Sequence, residues 1–294
     1  MLINARPAGK EKYEYEPEKP PFPETFVCLL MKNPKIIFFD IDDTLYRKYT
    51  DTLRPSVYKA MAALKEKGIL TAIATGRPPA AIPKKVQELI RESGIDMLVT
   101  INGQYTSFHG EVLQEYPMDS ANMMEICASL DNKNIDYAFV NNNEIAVSSP
   151  SSLVKDALAH IFPDFLVDKE YFHRAKVYQM LIFADSNQER AIEDEIQQNG
   201  FKLVRWHECA MDMLRSEGSK ARGIAHAVGK LGVEMKDVMA FGDSFNDLEM
   251  LTTVGFGVAM GNGEAEAKAV AKFVCPSVDE DGVLRGLQEL GVID

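Results

Sequence analysis

The sequence predicts an α/β protein in which a parallel-sheet domain is interrupted by a second, α+β domain. From Lys35 onward, short β-rich runs alternate with amphipathic helical stretches, which is typical of a parallel sheet covered by helices. After about Met118 this alternation gives way to strands of a different pattern, and it returns at about Cys209. The length of 294 residues is also typical of two domains.

The first domain begins with the run KIIFF, which predicts a strand buried on both faces because it is continuously apolar. Pro55 fits the first turn of the next helix, PSVYKAMAALKEKG, whose apolar positions recur at helical spacing and which Gly68 closes. The same reasoning predicts a strand in ILTAIAT, a helix in PPAAIPKKVQELIRESG and a strand in DMLVTI.

The second domain is predicted from a hairpin around an asparagine-rich turn, DYAFVNNNEIAVSS, and from two further strands, YQMLIFA and FKLVRW. The first pattern then returns in SKARGIAHAVGKLG, DVMAFGD, NDLEMLTTV, GFGVAM and EAEAKAVA. We therefore predict a core formed by residues 34–116 and 209–294, with an inserted domain at 117–208. Residues 1–33 are charged and rich in proline, and we expect a poorly ordered extension or upstream sequence before a start at Met31.

The composition excludes several classes of function. A net charge of −12 provides no basic field for nucleic acid or for an anionic membrane. A phosphate-bearing substrate is also repelled at long range, so a site for one must supply its own positive charge. The four cysteines form no CxxC pair and no apolar run reaches the length of a membrane span, so we expect a reduced, cytoplasmic protein.

Two acidic motifs follow predicted strands. Asp40 and Asp42 in DIDDT lie on the same side of an extended chain, and such crowded carboxylates suit a nucleophile beside a general acid/base. Asp243 and Asp247 in GDSFND add two more carboxylates, and oxygen donors without nearby His or Cys point to Mg²⁺. A turn at a strand end and a helix N-cap are the alternative explanations of these motifs.

Two further motifs offer groups that bind phosphate. Thr75 supplies a hydroxyl, and the backbone amides around Gly76 can surround an anion. Lys220 follows Ser219 at the start of a helix and supplies a positive charge. A lysine in the first turn opposes the helix dipole. Taken alone, it would be interpreted as a surface residue. All four motifs lie at the carboxyl ends of predicted strands or at the start of a helix, where α/β proteins bind ligands, and their joint occurrence favours one phosphate site.

Four segments resemble, in this order, motifs I to IV of the haloacid-dehalogenase-like (HAD) superfamily: DIDDTL, ATGR, SKARGI and GDSFNDLEML. The strings INGQY, VAMGNG and DEDGV resemble its Cof-type branch, whose α+β cap of type IIB is inserted between motifs II and III. The resemblance covers the chain from Lys35 to the C-terminus. It implies a Rossmann-like core, a cap domain and a Mg²⁺-dependent phosphatase.

The resemblance also implies the roles of individual residues. Asp40 matches the nucleophile that forms an aspartyl-phosphate, and Asp42 matches the acid/base that protonates the leaving alcohol and then activates water. Mg²⁺ would be held by four acidic residues, namely Asp40, the backbone carbonyl of Asp42, Asp243 and Asp247. The phosphoryl group would be bound by Thr75, Gly76, Lys220 and Asn246. Asn102 and Gly103 match the family's NG pair at the edge of the site, while Asp43 stands where many Cof-type members carry glycine.

We expect the substrate to be a small phosphorylated metabolite, a sugar phosphate or a related phosphomonoester. Its specificity would be set by cap residues in the segments Asn141–Glu144 and Tyr178–Met180. One alternative is a phosphosugar mutase of the same superfamily. Another is a non-catalytic module that binds Mg²⁺ or a phosphorylated ligand, against which Asp42 argues because binding alone needs no proton shuttle. The sequence carries no indication of the oligomeric state.

One further segment, WHEC at residues 206–209, is only superficially similar to a metal-binding motif. A single His and a single Cys are too few donors for a metal centre. We therefore predict that His207 and Cys209 are structural residues.

Overall fold

The computed structural model describes residues 33–95 and 97–294. The predicted N-terminal extension, residues 1–33, therefore lies outside the described residues except for its last position.

The strands of the described chain are β1 (Ile36–Phe39), β2 (Tyr46–Arg47), β3 (Thr52–Leu53), β4 (Leu70–Ala74), β5 (Met97–Thr100), β6 (Tyr105–Phe108), β7 (Glu111–Glu115), β8 (Asp136–Val140), β9 (Ile145–Val147), β10 (Leu166–Val167), β11 (Gln179–Phe183), β12 (Phe201–His207), β13 (Ala210–Arg215), β14 (Val238–Gly242), β15 (Phe256–Ala259) and β16 (Phe273–Val274). Its α-helices are α1 (Pro55–Glu66), α2 (Lys84–Ser93), α3 (Ser120–Asn132), α4 (Ser152–Leu158), α5 (Ser186–Gln198), α6 (Lys220–Lys230), α7 (Leu248–Thr253), α8 (Ala265–Val270) and α9 (Gly282–Glu289).

The core domain is built on an eight-stranded sheet of order β16-β15-β14-β1-β4-β5-β6-β7. Its strands are parallel from β16 to β5, and β6 and β7 continue it as an antiparallel edge. All four residues of β1 are buried, because helices cover both faces of the sheet. Ile37 and Phe39 pack on the side of α1, α2 and α9, whereas Ile36 and Phe38 pack on the side of α6 and α7. The predicted α/β core is confirmed.

The inserted domain is built on a six-stranded sheet of order β10-β9-β8-β11-β13-β12. Its strands pair in antiparallel fashion except for β9 and β10, and β8 and β9 form the predicted hairpin. One face is covered by α3 and α5, which bury Ile126 and Ile192. The other face packs against α4 and includes Ile101 of the core domain in its apolar cluster. This second face is therefore the one that is turned toward the core.

The second sheet extends further along the chain than the sequence predicted. We placed the return to the core at residue 209, but β13 pairs with β11 and β12 in the cap sheet, so the cap continues to Arg215. The segment AMDMLR is a short strand whose partners are set by long-range pairing, and its composition alone does not separate the two sheets. The first predicted boundary, between residues 116 and 117, falls directly after β7.

In the part of the chain that the structure describes, none of the helices combines the length and the apolar character that a membrane span requires.

Candidate active site

Asp40 and Asp243 meet because the strands that precede them are parallel neighbours. Phe39, the last residue of β1, lies opposite Phe241 of β14, and the backbone N–H of Asp40 donates to the carbonyl oxygen of Phe241 at 3.0 Å. The two acids thus follow adjacent strand ends and lie at the same edge of the sheet. Both are buried, with exposed fractions of 5% and 9%.

Lys220 connects Asp40 to Asp247 from beneath this edge. It is the first residue of α6 and is fully buried, and its Nζ donates to Asp40 Oδ1 at 2.6 Å and to Asp247 Oδ1 at 2.7 Å. Burial alone would lower the pKa of Lys220, but the charges of Asp247 and Asp40 raise it, so the side chain is an ammonium. The helix dipole disfavours a positive charge at the first residue of a helix. The contacts with Asp40 and Asp247 compensate for this and stabilise the lysine there.

Asp247 also fixes the loop that carries Asp243. Its Oδ2 accepts hydrogen bonds from the backbone N–H groups of Asp243 at 2.9 Å and Ser244 at 3.1 Å. Gly242 permits this approach, because a Cβ at that position would lie 2.6 Å from the carboxyl carbon of Asp247. From the DIDDT side, Thr44 Oγ1 donates to Asp243 Oδ1 at 3.1 Å. The carboxylate of Asp243 is therefore held from two motifs.

The acidic cluster of Asp40, Asp243 and Asp247 fits a divalent cation. One carboxylate oxygen from each lies within 4.8 Å of the others, and among the described residues the single positive charge of Lys220 is the one that touches the cluster. Burial raises the pKa of Asp40 to about 7 in spite of Lys220. Burial and then the charge of Asp40 raise the pKa of Asp243 well above its ordinary value. A cation would offset this excess negative charge, and donors that are all oxygen suit Mg²⁺.

The side chain of Asp42 is bound to Arg77 and does not belong to that cluster. Arg77 Nε donates to Asp42 Oδ2 at 2.7 Å and its Nη2 donates to Oδ1 at 2.8 Å, which is a bidentate pair. The guanidinium is buried, and its Nη1 donates to the carbonyl oxygen of Ala81 at 2.8 Å. The TGR motif predicted roles for Thr75 and Gly76 but none for Arg77. The signal was present, because Arg is the residue that pairs with a carboxylate through two bonds.

Gly76 and Asn246 lie beside each other across the site. A Cβ at Gly76 would lie 3.1 Å from Asn102 Oδ1 and 3.3 Å from Asn246 Nδ2, so the absence of a side chain lets these groups approach the backbone. Thr75 Oγ1 accepts a hydrogen bond from the N–H of Arg77 at 3.1 Å. The structure thus brings the TGR and GDSFND motifs together.

Asn102 joins the core to the cap. Its backbone has a φ of 49°, in the left-handed region that asparagine tolerates. Its Nδ2 donates to Asp212 Oδ2 at 2.8 Å and to Gln179 Oε1 at 3.0 Å, while its Oδ1 accepts from Asn246 Nδ2 at 3.1 Å. Gln179 belongs to the predicted segment Tyr178–Met180. Asp212 was not predicted, because its strand β13 was assigned to the core.

Asp212 is a buried carboxyl on the cap side of the site. Burial raises its pKa to about 7, although the hydrogen bond from Asn102 opposes the rise. In contrast to Asp40, it contacts a neutral amide, and no salt bridge from the described part of the chain compensates its charge.

A cleft of about 310 Å³ lies between the two domains. Six predicted site residues line it on the core side: Asp40, Asp42, Thr75, Gly76, Asp243 and Asn246. On the cap side it is lined by the apolar residues Val140, Ile145, Leu181, Val204 and Trp206 and by the polar residues Gln179, Arg205 and Asp212. Lys220 and Asp247 are fully buried behind the acids. In the predicted segment Asn141–Glu144, the carbonyl oxygen of Asn142 accepts a hydrogen bond from the N–H of Ala80 at 3.1 Å, so this turn contacts the core.

The fold and this cleft define a two-domain α/β protein with an acidic site that suits a divalent cation. The sequence pattern of the haloacid dehalogenase-like hydrolases matches residues 37–287, and the chain belongs to this family. The resemblance to Cof-type members that the motifs indicated is thereby confirmed.

Several relatives are phosphatases by name. A Bacillus subtilis protein provisionally named phosphatase YkrA is 33% identical over 261 residues, which are 88% of this chain and 98% of that protein. A Streptococcus pyogenes serotype M6 protein, provisionally named bifunctional phosphatase/peptidyl-prolyl cis-trans isomerase, is 33% identical over 264 residues; the match covers 90% of this chain but only 55% of that protein. The solved structure of the HAD subclass IIB sugar phosphatase BT4131 is similar, with a TM-score of 0.80 and 30% identity, and the match covers 88% of this chain and 100% of that one.

Proposed function

We propose that this protein is a Mg²⁺-dependent phosphatase that hydrolyses a small phosphorylated metabolite, a sugar phosphate or a related phosphomonoester, through an aspartyl-phosphate on Asp40. The observation that carries the proposal is the position of Asp40: it is buried, hydrogen-bonded to Lys220 at 2.6 Å, and lies two residues before a second carboxylate at the same cleft.

In the first step, a carboxylate oxygen of Asp40 attacks phosphorus and the bond from phosphorus to the leaving alcohol oxygen breaks. Since Oδ1 accepts the hydrogen bond from Lys220, we assign the attack to Oδ2. Asp42, protonated once one of its hydrogen bonds from Arg77 opens, gives its proton to the leaving oxygen. In the second step it takes a proton from a water that attacks phosphorus, the bond from phosphorus to Asp40 breaks, and inorganic phosphate leaves. Lys220 holds Asp40 in place, and its predicted contact with phosphoryl oxygens stays a prediction.

The residues that would hold Mg²⁺ are Asp40, Asp243 and the backbone carbonyl of Asp42, with Asp247 in support. When bound, the ion offsets negative charge on the transferring phosphoryl group. The hydroxyl of Thr75, the backbone at Gly76 and the amide of Asn246 line the same cleft, which supports their proposed contact with the phosphoryl oxygens. Phosphoryl transfer depends mostly on positioning and charge stabilisation, which is what these groups provide.

The cap would enclose the leaving group and exclude water. A sugar phosphate is supported by the polar side chains of Gln179 and Asp212 on the cap wall, which can bind hydroxyl groups, and by the similar fold of a sugar phosphatase. The cleft volume of about 310 Å³ suits a small ester rather than a macromolecule.

The covalent intermediate can be tested with p-nitrophenyl phosphate labelled in its phosphoryl group. Its leaving group needs no proton, so the Asp42→Asn variant should still complete the first step but not the second, and labelled protein should accumulate after acid quenching. The Asp40→Asn variant should retain no label and should have no turnover. Removal of Mg²⁺ with EDTA should abolish turnover and added Mg²⁺ should restore it. Full turnover in Asp40→Asn would refute the proposal.

The substrate class is a separate question. Phosphate release from a panel of sugar phosphates, nucleotides and phosphorylated coenzymes would identify the preferred leaving group. Formation of an isomeric sugar phosphate without net release of phosphate would favour a mutase instead.

A further inference from the structure

Three potential metal ligands lie together on the cap, outside the cleft. His207 is the last residue of β12, Cys209 stands in the turn that leads into β13, and Asp156 belongs to α4. One donor atom from each lies within 4.8 Å of the other two. Cys209 Sγ is 3.3 Å from His207 Nδ1, and His207 Nε2 is 4.0 Å from Asp156 Oδ2. The segment WHEC, which we interpreted as structural, thus has a third donor that is distant in sequence.

The turn that carries two of these donors is held in place by its surroundings. The guanidinium of Arg205 donates to the carbonyl oxygens of His207 at 3.1 Å and Glu208 at 2.7 Å, and it pairs with Glu189 at 2.8 Å. The carbonyl oxygen of Cys209 accepts a hydrogen bond from the N–H of Ala184 at 2.9 Å. His207 and Cys209 are therefore fixed relative to each other before any ion binds, which reduces the entropy that binding must overcome.

We propose that Asp156, His207 and Cys209 bind a divalent cation of the Zn²⁺ class. A thiolate, an imidazole and a carboxylate are the donors that Zn²⁺ takes in proteins, whereas Mg²⁺ takes oxygen donors. The thiolate and the carboxylate supply two negative charges, which match the charge of the ion. Three protein donors leave a fourth position for water.

The exposure of the three groups suits an ion that enters from solvent. The side chain of His207 is 24% exposed and that of Asp156 is 75% exposed, so Asp156 can rotate to close the site. Cys209 is also partly exposed, with its Sγ 3.9 Å from the carbonyl oxygen of Leu153 in α4. Asp156 is thus the ligand that completes the site, and its movement needs no change in the backbone.

A bound ion would link α4 to the hairpin of β12 and β13. Trp206 and Arg205, the two residues before His207, line the cleft. The ion would therefore stabilise the part of the cap that forms the outer wall of the cleft. Because it binds the folded chain, it would raise the melting temperature of the whole protein.

The test uses the full chain, freed of metal and then kept in excess Mg²⁺ so that the acidic cluster is occupied. Co²⁺ serves as a spectroscopic probe, because a cobalt–thiolate bond produces a charge-transfer absorption in the near ultraviolet. We expect one equivalent of Co²⁺ to produce this absorption and Zn²⁺ to displace it. The Cys209→Ser variant should lose the absorption, and His207→Ala and Asp156→Asn should weaken Zn²⁺ binding by at least about tenfold.

Matched controls separate this site from other donors. The variants His173→Ala, Cys127→Ala and Cys28→Ser should bind Zn²⁺ like the unchanged protein. Zn²⁺ should raise the melting temperature of these controls and of Asp243→Asn, but not that of Cys209→Ser. Three results would each overturn the proposal: no thiolate absorption in the unchanged protein, an absorption that survives Cys209→Ser, or Zn²⁺ binding that is lost in Asp243→Asn.

Discussion

Arg77 donates two hydrogen bonds, of 2.7 and 2.8 Å, to the two carboxylate oxygens of Asp42. The side chain of Arg77 is buried, with only 5% of it exposed. The side chain of Asp42 is 26% exposed and faces the cleft. One partner is therefore anchored and the other is accessible. This relationship makes Arg77 a positioning residue for the proposed acid/base.

The Arg77→Lys variant should lower kcat by about tenfold or more, because lysine cannot form the bidentate pair and general acid/base catalysis depends on placement. The loss should be larger for an alkyl phosphate than for p-nitrophenyl phosphate, whose leaving group needs no proton, and KM should change little. Steady-state kinetics with both substrates measures this. Arg91→Lys, at a side chain that is 71% exposed, is the control. An unchanged kcat with the alkyl phosphate would show that Arg77 does not position Asp42.

Lys220→Met should destabilise the protein strongly in the presence of EDTA. The change leaves Asp40 and Asp247 buried without the ammonium that both contact, and breaking a buried ion pair in this way costs about 3–5 kcal/mol. Mg²⁺ should recover part of this loss but should not restore turnover. Urea unfolding with EDTA and with Mg²⁺ gives both values. The control is Lys236, which forms an ion pair with Glu234 in which both side chains are 69% exposed. Lys236→Met should therefore change stability little. Comparable effects of the two variants would contradict this account of the site.

Gly103→Ala should disturb the position of Lys220 through the backbone. A Cβ at Gly103 would lie 2.2 Å from the carbonyl oxygen of Ser219, the residue just before Lys220, and the φ of Gly103 is +82°. Gly110 has a φ of +79° but nothing within 4 Å of such a Cβ, so Gly110→Ala introduces the same backbone strain without the clash. We expect Gly103→Ala to be less stable than Gly110→Ala by at least about 1 kcal/mol in urea unfolding, and to be less active. Equal stability would mean that α6 can shift at no cost.

The core and its acids were predictable from the sequence because their arrangement follows from local patterns. The continuous apolar run of β1 predicts a strand covered on both faces, and parallel strands end at a common edge. This rule predicts that Asp40 and Asp243 lie at the same edge of the sheet, although 202 positions separate them in a chain of 294 residues. The pairing of β1 with β14 then makes them neighbours.

The contacts between the domains were not predictable in the same way. Asp212 reaches Asn102 only because β13 pairs with β11 and β12 in one particular register, and a shift by one residue would turn its side chain to the opposite face. The proximity of Asp156 to His207 likewise depends on how α4 packs on a hairpin more than 40 residues later in the chain. Such long-range registers leave no mark on spacing or composition.

The buried carboxyl of Asp212 should make stability depend on pH. Its pKa is about 7 in the folded protein against an ordinary value of 3.8, and burial is the main cause. Between these two values the folded chain keeps a proton that the unfolded chain has released. The contribution of Asp212 is therefore most favourable below about pH 4, is lost as the pH rises through 7, and is unfavourable above that.

The Asp212→Asn variant should remove this dependence, because the amide oxygen can still accept the hydrogen bond from Asn102 and carries no charge. Its free energy of unfolding relative to the unchanged protein should increase from pH 5 to pH 8 by about 1 kcal/mol or more, since one pKa unit corresponds to about 1.4 kcal/mol. Urea unfolding of both proteins at several pH values measures the difference. Asp164→Asn, at an exposed position, should leave the difference constant with pH. If the Asp212→Asn variant followed the pH dependence of the unchanged protein throughout this range, the carboxyl would not be held in the buried contact with Asn102.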